Sequence, residues 1–227
     1  LLRTNRTYVN TAKKIKELSP ALFEAVKEGK TTLHAAIKKA RAIEQQDQPA
    51  PPEGKYEVIY IDPPWEYHGK APLPVLAGNR YQTMSDDDLL EFGKVIKSIS
   101  HDDAAIFLWT TNIKQPFAFE LLEKWGFDYK GQIIWSKTNC NALEGSWLRL
   151  KHEILLIGSK GAARPIHKPP SVISHERTEH SKKPDIFHQT IETMFPNAAK
   201  IEMFARTQRE GWAVWGNEVQ NKKNEEE

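Results

Sequence analysis

The stretch Tyr56-Glu57-Val58-Ile59-Tyr60-Ile61-Asp62-Pro63-Pro64-Trp65 decides the predicted fold, because an apolar run ends abruptly in a carboxylate and two prolines. Residues 56–61 have strand character, and open α/β enzymes bind ligands at the carboxyl ends of such strands. A carboxylate, a proline backbone with fixed φ angles and free carbonyls, and a flat aromatic ring suit a planar base that carries an amino group. The alternative is a strand that ends in a Pro-Pro turn with Trp65 packed in the core.

The rest of the chain alternates between strand and helix patterns. Such alternation predicts a three-layer α/β sandwich with a largely parallel sheet, whose strand order the sequence does not give. Further strands are expected over 104–109, 129–135, 153–157 and 200–204, and helices over 86–99, 117–125 and 184–194. We interpret Asp86, Asp87 and Asp88, which follow Ser85, as capping residues of a helix and not as metal ligands, so no metal is expected.

The amino-terminal part differs in character from the rest. Thr11 is expected to cap one short helix and Ser19-Pro20 to begin a second, and a third follows Thr31-Thr32. We expect a helical arm or mini-domain over 1–47, a Pro-rich linker over 48–55, a main domain over 56–219 and a disordered tail over 220–227. The Gly- and Pro-rich segment between Glu66 and Gln82 is a candidate lid, with an ordinary surface insertion as the alternative.

Composition limits the class of protein. The 227 residues include one cysteine, Cys140, which excludes an internal disulfide framework and fits a reducing cytosol. No apolar run reaches the roughly 20 residues that span a bilayer, so a soluble cytoplasmic protein is expected. Residues 1–55 carry eleven Lys/Arg and six Asp/Glu, a net +5, within a chain of formal net charge +2. This basic segment would attract polyanions, although a solvated helical surface explains it equally well.

The tetrapeptide Asp62-Pro63-Pro64-Trp65 resembles the signature of S-adenosylmethionine-dependent adenine amino-group methyltransferases. The family is that of the catalytic subunit of the mRNA adenosine methyltransferase complex, and the ending over 212–218 is similar to its bacterial and phage branch. The matching segments follow the family's chain order across residues 56–219. They are 81–87, 108–111, 134–139, 145–148, 180–185, 201–206 and 215–218.

The resemblance implies a fold and a cofactor. It implies a Rossmann-like class I methyltransferase sandwich with permuted motif order, in which the Ile201-Glu202-Met203-Phe204 strand holds S-adenosylmethionine although no Gly-rich fingerprint follows the first strand. The amino-terminal helices are faintly similar to those beside helix-turn-helix units in ParB-type partition proteins. They could equally form a homodimer contact or dock a partner subunit.

The motif is suited to methylation of an amino nitrogen. The nitrogen of adenine is a poor nucleophile because its lone pair is delocalised into the ring. Asp62 and the Pro63 carbonyl can each accept one amino N–H, which favours the rehybridised nitrogen of the transition state. Pro64 completes the rigid backbone, and Trp65 can stack on the base. A base in a duplex must be flipped out to reach such a pocket.

The remaining site residues come from the resemblance alone. It places Tyr81, Trp147 and Glu153 around the target base, with Trp147 as a second aromatic wall and Glu153 as an edge contact. The cofactor would be held by Lys183 at its carboxylate, by Arg206, Asn217 and Glu218 at its ribose and adenine, and by Phe204 as an apolar wall. Glu202 is the exception: as an acid at the end of a strand it could also serve the cofactor, with an ion pair to Arg206 as the alternative.

The resulting hypothesis is a methyltransferase acting on adenine in DNA, with the helices holding DNA or a partner subunit. The first alternative is the same reaction on RNA, because a flipped adenine presents the same edge in either polymer. The second is a non-catalytic nucleic-acid-binding scaffold for an active partner, which the intact Asp62-to-Trp65 motif disfavours. Methylation of a small molecule would leave the basic arm unused.

Overall fold

The computed structural model describes residues 6–46, 50, 52–67, 83–138, 143–144, 147–177 and 182–216. The chain divides into two compact units, Leu1–Ala50 and Pro51–Glu227. The candidate lid between Glu66 and Gln82 lies mainly, and the tail over 220–227 wholly, outside the described residues. These two predictions and the limits of the linker over 48–55 stay predictions. Among the described residues, no helix is both long enough and apolar enough to cross a membrane.

The first unit contains three helices, as predicted: α1 (Arg6–Leu18), α2 (Pro20–Lys27) and α3 (Leu33–Gln46). Ser19 caps α2 by accepting a hydrogen bond from the Leu22 backbone N–H at 3.3 Å. The prediction that Thr11 begins the first helix is wrong, because α1 already begins at Arg6. Thr costs only a few tenths of a kcal/mol inside a helix, so a capping residue type does not by itself end one.

The second unit is built on a mixed seven-stranded sheet. Four of its six strand pairings are parallel, and β6 runs antiparallel to both of its neighbours. The strands lie in the order β7-β3-β6-β2-β1-β8-β9. They are β1 (Tyr56–Ile61), β2 (Ser100–Thr110), β3 (Asp128–Lys137), β6 (His152–Lys160), β7 (Val172–His175), β8 (Lys200–Met203) and β9 (Ala213–Trp215), and a separate hairpin pairs β4 (Leu143–Glu144) with β5 (Arg149–Leu150).

Helices cover both faces of this sheet, which confirms the predicted three-layer α/β sandwich. Residues Ile59 and Ile61 of β1 face a core closed by α4 (Asp86–Ile99) and α5 (Gln115–Trp125). Val58 and Tyr60 face the opposite core, which α6 (Ile186–Met194) closes. The central strand is therefore apolar on both faces, as expected for a strand buried between two helical layers.

The start of α4 confirms the capping interpretation. The Ser85 side chain accepts a hydrogen bond from the Asp88 backbone N–H at 3.3 Å, and Asp88 Oδ2 accepts one from the Ser85 N–H at 3.2 Å. This reciprocal capping box satisfies two backbone donors that the first turn of a helix leaves free. Asp86 forms an ion pair with Lys114 at 2.7 Å. The three aspartates thus begin the helix, and Asp86 links it to the start of α5.

Gly93 lets α4 and α5 approach closely. A Cβ at this position would lie 2.5 Å from Cδ1 of Trp125, whose ring is buried and whose Nε1 donates to the Leu89 carbonyl at 3.2 Å. Gly93→Ala is therefore expected to lower the free energy of unfolding by about 1–3 kcal/mol through overpacking, despite the better helix propensity of alanine. Urea denaturation measures the change. Gly131→Ala is the control, because no atom lies within 4 Å of its added Cβ, and equal stability of the two variants would contradict the packing.

Candidate active site

The candidate site lies at the carboxyl edge of the sheet, where three parallel strands end side by side. β1 pairs with β2 on one side and β8 on the other, with Ile61 opposite Leu108 and Met203. Asp62 follows β1 directly, and Phe204 follows β8. Parallel strands bring their carboxyl ends to one edge, so the motif and the expected cofactor strand meet there, as the resemblance implied.

The backbone after Asp62 is fixed by two hydrogen bonds. The Trp65 N–H donates to the Pro63 carbonyl, and the Met84 N–H donates to the Pro64 carbonyl, each at 2.8 Å. The second bond belongs to a short parallel bridge between Trp65 and Met84. A carbonyl oxygen has two lone pairs, so Pro63 retains one for an external N–H. The predicted acceptor role of Pro63 is compatible with this geometry and stays a prediction.

Lys183 joins the two carboxylates that the sequence analysis placed at the site. Its Nζ lies 3.0 Å from Asp62 Oδ2 and 2.8 Å from Glu153 Oε2, and 5.0 Å from the centroid of the Trp109 ring. The structure thus brings together residues 62, 153 and 183. Lys183 has three N–H donors, two of which face these carboxylates, and its contact with a cofactor carboxylate stays a prediction.

Lys137 is a site residue that the sequence analysis missed. Its ammonium forms an ion pair with Glu153 Oε1 from the neighbouring strand, where Trp135 lies opposite Glu153. Each Glu153 oxygen therefore has its own lysine. The matching segment over 134–139 contained Lys137, but only the strand register shows which carboxylate it meets.

The two carboxyl groups differ in acidity. Burial raises the pKa of Asp62 above its ordinary 3.8, and Glu153 adds to this, whereas Lys183 opposes it. Burial also acts to raise the pKa of Glu153, but Lys183 and Lys137 outweigh burial and lower that pKa from 4.5 to about 2. Burial acts to lower the pKa of Lys183, and Asp62 and Glu153 raise it overall. Glu153 and Lys183 therefore stay charged, and Asp62 is the stronger proton acceptor.

The lowered pKa of Glu153 predicts that this residue makes the free energy of unfolding depend on pH in the acidic range. Because its pKa is lower in the folded protein, Glu153 stabilises the fold above pH 4.5, by about 3 kcal/mol, and this contribution is lost as the pH falls towards 2. The free energy of unfolding of the wild type should therefore fall more steeply between pH 5 and 2.5 than that of Glu153→Gln. Denaturant unfolding at several pH values measures both free energies. Parallel pH curves for the two proteins would show that Lys137 and Lys183 do not lower the pKa of Glu153.

The structure places the two predicted aromatic residues very differently. Trp65 is 7% exposed and lies in the core, with its ring edge-on to Phe117 at 6.3 Å between centroids. Most of the Trp65 side chain is therefore packed in the core, as the alternative stated. Its role in stacking on the target base stays a prediction. Trp147 is 96% exposed, which excludes core packing and leaves its wall role a prediction.

The carboxyl end of β8 carries the predicted cofactor residues. Glu202 pairs with His188 Nε2 at 2.9 Å, a partner that the sequence analysis did not consider. Phe204 lies just beyond the strand and not within it, with φ 60°, and its ring packs on Phe92 and Trp215. Such a conformation is strained for a non-glycine residue and is typical of functional turns. Arg206 lies close enough for its charge to lower the pKa of Asp62.

Three predicted residues, Tyr81, Asn217 and Glu218, lie outside the described residues, so their roles stay predictions. Among the residues that the structure does describe, no group of three His, Cys, Asp or Glu side chains has the arrangement of a metal site.

The sheet, its two helical layers and the motif at the end of β1 define a Rossmann-like methyltransferase. The MT-A70 family model matches residues 56–218, and the chain belongs to the MT-A70 family. Methyltransferases of this family use S-adenosylmethionine. The assignment agrees with the resemblance drawn from the sequence motifs.

Relatives of two kinds are similar to this chain. The type II methyltransferase M.MunI of Mycoplasma sp is 32% identical over 196 residues, which are 77% of this chain and 82% of that protein. The N(6)-adenosine-methyltransferase subunit METTL3 of Danio rerio is 34% identical over 176 residues, and the human METTL3 catalytic subunit is 32% identical over 176 residues. Each of these two matches covers 73% of this chain but only 28% of the METTL3 protein.

Proposed function

We propose that this protein transfers a methyl group from S-adenosylmethionine to the exocyclic amino nitrogen of adenine in DNA, on a base that is flipped out or already single-stranded. The observation that carries the proposal is the joining of Asp62, Lys183 and Glu153 at the carboxyl end of β1. This site presents two carboxylates of different basicity beside a motif with a free carbonyl lone pair. An amino group that must be held by its N–H bonds fits that set of acceptors.

DNA is favoured over RNA by the extent of the matches. The relatives named for adenosine, the ribonucleoside, share little more than a quarter of their length with this chain, whereas the bacterial type II methyltransferase matches over 82% of its length. The basic residues 1–55 supply a surface that attracts a polyanion of either kind. RNA therefore remains the second candidate substrate.

The residues at the end of β8 fit S-adenosylmethionine. Glu202 contacts His188 through Oε2, so its Oε1 is an acceptor suited to a ribose hydroxyl. The Phe204 ring, which packs on Phe92 and Trp215, offers an apolar wall to an adenine. Lys183 offers an N–H donor to the cofactor carboxylate, and Arg206 offers donors to its ribose and adenine. When bound, the cofactor supplies a methyl group on a positively charged sulfur, and its transfer to a neutral amino nitrogen leaves a neutral thioether and a cationic nitrogen that loses one proton.

The chain's own residues prepare the amino nitrogen and then receive its proton. Asp62 accepts one amino N–H, which favours the pyramidal nitrogen of the transition state over the flat ground state. Glu153, with a pKa of about 2, stays ionised and acts as a fixed acceptor. Asp62, whose pKa is raised, is the carboxylate that can take the proton from the methylated nitrogen.

The test is methyl transfer to defined polymers. Purified protein and its Asp62→Asn variant are incubated with tritiated S-adenosylmethionine and, separately, double-stranded DNA, single-stranded DNA and RNA of mixed sequence. Label recovered as N6-methyldeoxyadenosine from wild-type reactions, and strongly reduced with Asp62→Asn, supports the proposal. Label only in RNA moves the activity to the second candidate, and bound cofactor without transfer favours the scaffold alternative.

A further inference from the structure

The motif aromatic Trp65 offers little ring surface to a substrate. Its side chain is 7% exposed, and the ring is surrounded by the core that includes Phe117 and α5. A base that stacks needs an accessible aromatic face of about its own size. The surface that holds the target base against Asp62 is therefore better sought in a neighbouring ring.

Tyr67, two residues further on, is an exposed ring anchored at the same edge of the sheet. Its side chain is 39% exposed, and its hydroxyl lies 3.1 Å from Thr111 Oγ1. Thr111 follows the last residue of β2, the parallel neighbour of β1, so this bond ties the chain after Trp65 to the carboxyl edge. The ring is thus held beside the strand end that carries Asp62.

The charges of the site reach the Tyr67 hydroxyl. Burial raises the pKa of Tyr67, the Thr111 hydrogen bond lowers it, and the carboxylates of Asp62 and Glu153 raise it. The interaction of two charges falls with their separation and is stronger where burial lowers the effective dielectric constant. This agrees with the position given by the Thr111 contact.

Lys114 adds a second restraint on the Tyr67 ring. Its Nζ lies 6.0 Å from the ring centroid and is fixed by the ion pair with Asp86 at 2.7 Å. A tyrosine has only two side-chain torsions, so a ring held by a hydroxyl contact and a neighbouring cation loses little entropy when a ligand stacks on it. Tyr67 has the properties of a preorganised stacking surface.

We propose that Tyr67, and not Trp65, provides the aromatic face on which the target adenine stacks while Asp62 holds its amino group. The assignment rests on the proposed function and makes Tyr67 a substrate-positioning residue of that site. Loss of one aromatic–base stack typically weakens binding of the base by about 5- to 150-fold. The loss should appear in KM for the nucleic acid and in kcat/KM, with cofactor binding unchanged.

The test compares Tyr67→Phe with Tyr67→Leu. Phenylalanine keeps the aromatic face and loses the Thr111 contact, whereas leucine keeps apolar volume without an aromatic face. Steady-state kinetics on a DNA oligonucleotide, and fluorescence quenching of 2-aminopurine placed at the methylated position, are measured for both. We expect Tyr67→Phe within about threefold of wild type, and Tyr67→Leu about tenfold or more weaker in kcat/KM with loss of quenching.

Tyr129→Leu serves as the control for removal of a half-exposed tyrosine, since its ring contacts Phe119 on the surface. If Tyr67→Leu and Tyr67→Phe behave alike, the ring provides packing and the assignment is overturned. If the wild type methylates neither DNA nor RNA, the proposed function fails and the assignment fails with it. An active wild type with an equally active Tyr67→Leu variant overturns the Tyr67 assignment alone.

Discussion

Replacing Asp62 with alanine is expected to lower the rate of methyl transfer by about 1,000-fold while S-adenosylmethionine still binds. In the proposed mechanism the carboxylate accepts an amino N–H and so localises the nitrogen lone pair, and removal of one such preorganised group typically costs 10²- to 10³-fold. Asp62 is also the better proton acceptor of the site, because its pKa is raised while that of Glu153 is about 2. Single-turnover kinetics at saturating cofactor, together with calorimetric titration of the cofactor, separate transfer from binding.

Two further variants make this result interpretable. Asp62→Asn keeps the size and one acceptor oxygen but neither the charge nor the ability to take a proton, so it should also be slow, though less so than alanine. Asp128→Ala removes an aspartate whose side chain is 83% exposed and should retain wild-type rates. Turnover by Asp62→Ala near the wild-type level, with a normally folded protein, would exclude the mechanism.

The helical and strand layers of the fold could be predicted from the sequence, whereas the two short edge strands and the direction of β6 could not. Long apolar runs such as 56–61 and 104–109 identify buried central strands, because both faces of these strands are covered. The four-residue β7 and three-residue β9 were missed, since so few residues show no period. The antiparallel direction of β6 also leaves no mark in its composition, because an apolar run reads the same in either direction.

The candidate site was likewise predictable only in part, because some of its contacts join residues that are far apart in the chain. The motif at 62–65 was found because its residues are adjacent in the chain. The clamp of Lys137 and Lys183 on Glu153 joins residues from three distant segments, so it depends on strand register and not on any local pattern. The burial of Trp65 likewise depends on contacts with residues distant in the chain, such as Phe117. The sequence therefore supported core packing of Trp65 only as an alternative.

Replacing Lys183 with methionine is expected to shift the acid limb of the pH dependence of kcat/KM towards higher pH. Lys183 lowers the pKa of Asp62 against burial, so its removal lets that pKa rise and protonates Asp62 over a wider acidic range. Activity at saturating cofactor should therefore fall more at pH 6 than at pH 8.5. Lys183→Arg keeps the positive charge, and its acid limb should stay near that of the wild type.

The same substitution should cost stability, because Asp62 and Glu153 would then face each other without the cation between them. Removing one partner of a buried ion pair typically costs about 3–5 kcal/mol. Adding Asp62→Asn to Lys183→Met removes one of the two repelling charges and leaves Glu153 paired with Lys137, so the double variant should be more stable than Lys183→Met alone. A double-mutant cycle from urea denaturation at pH 8 gives the coupling energy directly. A coupling near zero, or an acid limb that is the same for the methionine and arginine variants, would show that Lys183 does not control the charge of Asp62. The pKa of Asp62 would then have to be set by burial and by the neighbouring charges of Glu153 and Arg206.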